Sequence, residues 1–121
     1  MRVKRTSHAV AALGCCVVLV ACGERLSLDG NAENGRLLLR QFGCGSCHRI
    51  PGVADAHGVA GPSLDRIARR VYLAGRVPNR PDNMVQWIRA PQRFDPQTQM
   101  PDLQVGEAHA RDMVAYLYTL D

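Results

Sequence analysis

"GCGSCHRI", residues 43–50, places two cysteines three apart and a histidine directly after the second. A bare C-x-x-C can be a redox dithiol, half of a zinc site or a disulfide, whereas C-x-x-C-H is the pattern to which a c-type haem is covalently attached. What surrounds Cys44, Cys47 and His48 has to separate these readings.

The start of the chain bears on compartment. Arg2, Lys4 and Arg5 precede an apolar run from Ala9 to Ala21, "AVAALGCCVVLVA", with no acidic residue near it. This is the order of a signal peptide, basic n-region then h-region. Its 13 uncharged residues fall short of the roughly 20 that a membrane-spanning helix needs. The run ends in "LVAC", Leu19 to Cys22, which resembles the lipobox of bacterial lipoproteins. There the chain is cut before the cysteine, and the thiol carries diacylglycerol. Gly23 follows, not the Asp that would mark inner-membrane retention, so an outer-membrane address stays open. The alternative is an ordinary exported protein cut after Ala21, with Cys22 a spare thiol in an oxidising compartment. The chain therefore divides into a lipoprotein signal peptide (1–21), a lipidated N-terminus with a short tether (22–30) and one domain (31–121).

The leader holds three of the 15 basic residues and none of the 11 acidic ones, so the remainder is nearly neutral. The high isoelectric point belongs to the leader, and a nucleic-acid partner is not indicated. A domain of about 100 residues buries only a moderate apolar area. A large flat apolar cofactor would add to that core.

Cys15 and Cys16 leave with the leader and Cys22 is the candidate lipid site, so only Cys44 and Cys47 remain. A tetrahedral zinc site needs two further ligands, here from His48, His57 and His109, and a Cys44, Cys47, His57, His109 set matches no common zinc spacing. A thioredoxin-like dithiol sits beside a βαβ pattern, and no strand run is evident.

"NAENGRLLLRQFGC" predicts a first helix capped by Asn31, with apolar residues 37, 38, 39 and 42. Residues 50–62 read as a Gly- and Pro-rich loop. "SLDRIARRVYLAG" predicts a short helix capped by Ser63 and stopped at Gly75. "NRPDNMVQWIRAP" predicts another, capped by Asp82 and ended by Pro91. "GEAHARDMVAYLYTL" predicts a terminal amphipathic helix with apolar positions 110, 113, 114, 117 and 120. The class is all-α, with about four helices and long loops that can wrap a ligand.

In their order these segments resemble the class I (monohaem) cytochromes c over residues 31 to 120. The resemblance implies a small cytochrome c fold around one haem c bound through Cys44 and Cys47, with His48 the proximal iron ligand. On a helical turn, positions i, i+3 and i+4 share a face, which suits that role. "GPSL", residues 61–64, is similar to the family's Gly-Pro-x-Leu, so Pro62 would accept the imidazole N–H of His48 through its carbonyl. "PQTQMPDL", residues 96–103, is similar to the loop carrying the distal methionine, which makes Met100 the second axial ligand; His/Met ligation raises the haem potential. Met84 and Met113 lie on apolar helix faces as core filler. His57 is the rival ligand, and His109 reads as solvated. Gly35 and Tyr116 match the crossing of first and last helices, and Trp87 falls where an aromatic faces the haem.

Arg66, Arg69, Arg70, Arg76 and Arg80 read first as a solvated face. Arg76 or Arg80 could instead pair with haem propionates or steer an acidic partner. "WIRAPQRFDPQTQMPDL" looks like the c-type domains that accompany haem-copper oxidases. The resemblance thus implies a non-enzymatic electron carrier, lipid-anchored to a bacterial membrane and facing the periplasm or exterior, whose redox partner is a haem-copper oxidase or other respiratory complex. The competing reading is a haem protein with an open or bis-His sixth site, acting as a ligand sensor or peroxidase-like enzyme. A zinc- or thiol-based lipoprotein without haem is the third.

Overall fold

The computed structural model describes residues 28–121. The signal-peptide and lipobox expectations, Cys22 included, lie outside the described residues. Within them the chain forms α1 (Ala32–Gln41), a 3-10 turn (Cys44–Ser46), a second 3-10 turn (Ile67–Arg69), a hairpin of β1 (Tyr72–Leu73) and β2 (Val77–Pro78), α2 (Pro81–Arg89), a third 3-10 turn (Pro91–Arg93) and α3 (Glu107–Leu117).

α1 begins where Asn31 accepts the Asn34 N–H at 2.9 Å, satisfying one of the amides a helix start leaves open. It ends at Gly43, which sits at φ 73°, the left-handed cap that glycine adopts without a Cβ penalty. Leu38 and Leu39 are buried, whereas Leu37 is 51% exposed. α2 buries Met84, Val85 and Ile88, and α3 buries Ala110, Met113, Val114, Ala115 and Leu117. These residues form one core with Ile50, Val53, Ile67, Leu73 and Val105. Full burial of each such aliphatic side chain contributes about 1.5–3 kcal/mol.

The all-α class holds, with three α-helices rather than about four. Residues 63–75 do not continue as a helix: Arg66 takes φ 50°, the helical turn stops at Arg69, and Val71 points outward at 73% exposure. The physical reason is a competing acceptor arrangement. The Asn79 side-chain amide donates to the carbonyls of Ile67 and Arg70, both at 2.8 Å, and the Asn79 N–H to Val71 at 2.9 Å. Ser63 does act locally, its hydroxyl accepting the Asp65 N–H at 3.1 Å. α2 is capped by Arg80 and not by Asp82, with Pro81 in its first turn; proline's fixed φ starts the helix two residues earlier. Among the described residues no helix is long and apolar enough to cross a membrane.

Candidate cofactor-binding site

Gly43 ends α1 and delivers Cys44 directly into the 3-10 turn. The N–H groups of Cys47 and His48 both return to the Cys44 carbonyl, at 3.3 and 3.0 Å. The motif is thus a single tight turn and not the start of an α-helix. Cys44 and Cys47 are free thiols, each half-buried. Burial pushes the Cys44 thiol above its ordinary pKa, against a smaller opposing effect of a backbone hydrogen bond.

The loop after the motif folds back over it. Gly58 N–H donates to Gly45 at 3.0 Å and Gly61 N–H to Cys47 at 2.8 Å, while Ile50 and Leu64 close the loop on Ala56 and Arg49 at 3.1 and 2.8 Å. A Cβ on Gly45 would stand 2.6 Å from the Ala56 Cα, so this approach admits only glycine. The Tyr116 hydroxyl donates to the Pro51 carbonyl at 2.7 Å, and Arg40 pairs with Asp55 at 3.1 Å. α3 and α1 thereby hold the loop from two sides.

His48 Nδ1 lies 2.7 Å from the Pro62 carbonyl oxygen. A carbonyl only accepts, so Nδ1 carries a proton, and in the neutral ring Nε2 then keeps its lone pair. Gly61 lies against the same ring: a Cβ there would come 2.5 Å from Cε1 and 2.7 Å from Nδ1. Sequence reasoning assigned Pro62 and overlooked Gly61, although both stand in the quoted "GPSL".

Met100 is half-buried in the loop that joins the third 3-10 turn to α3. Its N–H donates to Thr98 Oγ1 at 3.3 Å and its carbonyl accepts from Gln92 Nε2 at 2.8 Å. Met84 and Met113 are 2% and 0% exposed inside the core, which suits filler. Trp87 is half-buried on α2 with its ring 6.2 Å from Phe94, tilted 44°. His57 is exposed, and its backbone forms an antiparallel bridge with Arg49. The bridge ties the His57 backbone to the residue that follows His48. His109 is exposed and meets Phe42 edge-on at 6.0 Å.

Within the arginine run, Arg76 pairs with Asp95 at 3.5 Å and Arg69 with Asp121 at 4.0 Å, and the Arg70 guanidinium donates to the Ser63 carbonyl. A cavity of about 510 Å3 between α2 and α3, lined by Arg80, Val85, Arg111 and Val114 among others, contains none of Cys44, Cys47, His48 or Met100. It plays no part in this site. Among the described residues no three His, Cys, Asp or Glu side chains come together as a metal site, which leaves the zinc reading without its ligand set.

The donor chemistry fits a covalently held haem. Two unpaired thiols stand on one turn, beside an imidazole whose Nδ1 is occupied and whose Nε2 is not, and a soft thioether stands on a separately organised loop.

Comparison with known proteins follows the same line. The family model described as Cytochrome c matches residues 32–121. Cytochrome c oxidase subunit 2 of Alkalihalophilus pseudofirmus is 31% identical over 90 residues, covering 74% of this chain and 25% of that protein. The chain thus spans about a quarter of that relative's length. A crystal structure of cytochrome c2 from Rhodobacter sphaeroides superposes with a TM-score of 0.54 at 18% identity, covering 76% of this chain and 97% of the other. At that identity the likeness is one of fold.

Proposed function

The chain belongs to the cytochrome c family, and on that premise we propose that it is a single-haem electron carrier with His48 and Met100 as axial ligands, tethered to a membrane through a lipid on Cys22 and serving a respiratory chain. Haem-based electron transfer is the activity of the family, and the haem, when bound, supplies a reversible one-electron change at its iron. The remaining work belongs to the protein. Cys44 and Cys47 would hold the group by thioethers. His48 would offer Nε2, Met100 its sulfur, and Trp87 would pack at the methionine side.

The observation that carries the reading is the 2.7 Å contact between His48 Nδ1 and the Pro62 carbonyl. It fixes the ring's orientation and tautomer and strengthens the imidazole as a donor, as an outer partner does for a ligating histidine. The Met100 backbone, held at both its N–H and its carbonyl on a separate loop, against an exposed His57 in the loop directly after the motif, favours Met100 over a bis-His site. A neutral thioether favours ferrous iron relative to a second imidazole, which suits a carrier feeding a terminal oxidant. The likeness to an oxidase subunit supports a partner of the cytochrome c oxidase class. The position of "LVAC" after an apolar run supports the lipid anchor and a periplasmic or extracellular setting.

The test is the optical spectrum of the full chain matured in a host that attaches c-type haem. Haem resistant to acid-organic extraction, together with the ferric methionine-to-iron charge-transfer band, is expected. Extraction-resistant haem without that band would move the assignment to a bis-His or open sixth site, and a colourless folded protein would end the cytochrome reading. Membrane fractionation of Cys22→Ser, with loss of the lipid mass, tests the anchor separately.

A further inference from the structure

Met100 lies in a segment that must be ordered before its sulfur is any use. Residues 94–106 form no α-helix or strand between the third 3-10 turn and α3, and fixing each backbone residue costs about 1–2 kcal/mol of conformational entropy. A neutral thioether is a weak ligand that an exogenous donor can displace whenever the loop opens. Something must therefore hold the loop closed, and the structure shows what does.

Pro91 is almost fully buried and anchors the 3-10 turn that follows α2. From the next residue, Gln92 Nε2 donates to the Met100 carbonyl at 2.8 Å. The Asp95 N–H returns to Pro91 at 3.1 Å, and the Asp95 carbonyl accepts the Thr98 N–H at 3.0 Å. Asp95 Oδ1 accepts the Gln97 N–H at 3.2 Å, and Thr98 Oγ1 accepts the Met100 N–H at 3.3 Å. On its other oxygen Asp95 meets Arg76 Nε at 3.5 Å, with the Asp95 side chain only 21% exposed. Arg76 sits on the turn between β1 and β2, its own N–H bonded to the Leu73 carbonyl at 2.9 Å.

We infer that Gln92 and the Arg76–Asp95 pair are positioning residues for Met100: they fix the backbone of the methionine and of the turn before it, so that the sulfur is presented without ordering the loop anew. The inference rests on the reading of Met100 as the second axial ligand. Gln92 ties the loop to the end of α2, and Arg76 ties it to the hairpin. The hairpin thereby acquires a role that neither its two-residue strands nor the arginine run discloses. Removing a tie raises the fraction of molecules with the loop open, and the apparent affinity for a competing donor rises by the same factor.

The experiment uses the haem-loaded protein and titrates its ferric form with imidazole, alongside the charge-transfer band on heating. Loss of one hydrogen bond of ordinary strength is expected to tighten imidazole binding about fivefold in Gln92→Ala, whereas Asp95→Asn, which keeps an acceptor for the Gln97 N–H and loses only the charge facing Arg76, is expected to tighten it about twofold. Arg76→Ala removes a pair exposed on one side and is expected to tighten it about twofold. In all three the charge-transfer band fades at a lower temperature than the far-ultraviolet helix signal, and Arg76→Lys restores most of the lost band stability. Asn34→Ala, which weakens the α1–α3 junction elsewhere, lowers overall stability without tightening imidazole.

If Met100→Ala opens the site while the Gln92 and Asp95 variants bind imidazole as the unaltered protein does, the positioning role is overturned. If Met100→Ala itself leaves the band and the imidazole affinity unchanged, the axial assignment fails, and the inference falls with it by a distinguishable route.

Discussion

Gly35 of α1 stands so close to the main-chain carbonyl of Asp112 in α3 that a Cβ at this position would overlap the carbonyl carbon and oxygen. Gly30 stands in the same relation to the carbonyl of Arg111. Two glycines ahead of and within α1 thus meet successive carbonyls of α3, and the helix backbones touch without intervening side chains. A glycine inside a helix costs about 1 kcal/mol relative to alanine. Here the close crossing offsets it, because this contact sets how α1, and with it Gly43 and Cys44 at its end, is placed against the rest of the core.

Gly35→Ala is therefore expected to destabilise the haem-loaded protein by about 3 kcal/mol, the upper range for overpacking a closely fitted core. Gly106, the residue before α3, has nothing within 4 Å of an added Cβ and an ordinary negative φ. Gly106→Ser supplies a capping oxygen there and is expected to stabilise by a few tenths of a kcal/mol. Urea titrations followed by the far-ultraviolet helix signal measure both, and a neutral Gly35→Ala would show that the helices can separate without loss.

Asp112 makes the same junction sensitive to acid. Its carboxylate accepts the Asn31 N–H at 2.7 Å and the Asn34 side-chain amide at 2.6 Å, and these bonds, the Asn31 N–H first, hold its pKa below the ordinary value. A carboxyl with a lowered folded pKa binds protons more readily when unfolded. Its contribution is complete above the unfolded value, about 4, and disappears as pH falls through the folded one. Asp112→Asn should be less stable than the unaltered protein at pH 7, with the two stability curves converging below about pH 4. Glu33 and Glu107 are also lowered, by Arg36 and Arg111, but these are exposed ion pairs that added salt should weaken, whereas Asp112 is held by the uncharged Asn31 N–H and Asn34 amide, so its difference should stay largely intact.

What the sequence disclosed follows from how local each feature is. The Asn31 cap, the turn from Cys44 to His48 and the Pro62 carbonyl each depend on residues within one turn or on a motif with fixed internal geometry, so residue identity carried them. Residues 63–75 misled because Leu64, Ile67, Ala68 and Val71 have helical spacing. What overrides that spacing is a side chain at position 79 capping carbonyls 9 and 12 residues earlier. No periodicity announces such a contact. Gln92 escaped for the same reason: a side-chain amide meeting a backbone carbonyl eight residues on leaves no pattern in composition or hydropathy.

Asn79 is then the residue on which the non-helical course of that segment depends. Besides the Ile67 and Arg70 carbonyls it receives the Tyr118 hydroxyl at 3.0 Å on its own oxygen, and burial raises the Tyr118 pKa. Asn79→Ala leaves two carbonyls and a hydroxyl without partners in a half-buried place and is expected to cost about 2–3 kcal/mol. Asn79→Asp keeps the acceptor but loses both amide donors, so its cost should approach that of alanine. Hydrogen exchange of the Arg70 and Asn79 amides should quicken in both variants, while the Gly61 and His48 amides stay protected.

Gly61 and Pro62 separate backbone from side chain in the treatment of His48. The partner of Nδ1 is the Pro62 carbonyl, which any residue supplies, and the Pro62 side chain is itself exposed. Pro62→Ala should thus keep the hydrogen bond and leave the midpoint potential of the haem-loaded protein nearly unchanged, at a stability cost of about 1 kcal/mol for the freer unfolded chain. Gly61→Ala places a methyl group 2.5 Å from Cε1 and 2.7 Å from Nδ1, a distance that ring and loop cannot both keep. The imidazole must tilt or the loop must withdraw, and either lengthens the bond that orients Nε2. The expected result is haem still resistant to extraction, since both thiols are untouched, with a shifted midpoint potential and faster solvent exchange of the His48 Nδ1 proton in the ferrous protein. A larger shift in Pro62→Ala than in Gly61→Ala would reverse the assignment and place the work in the proline ring.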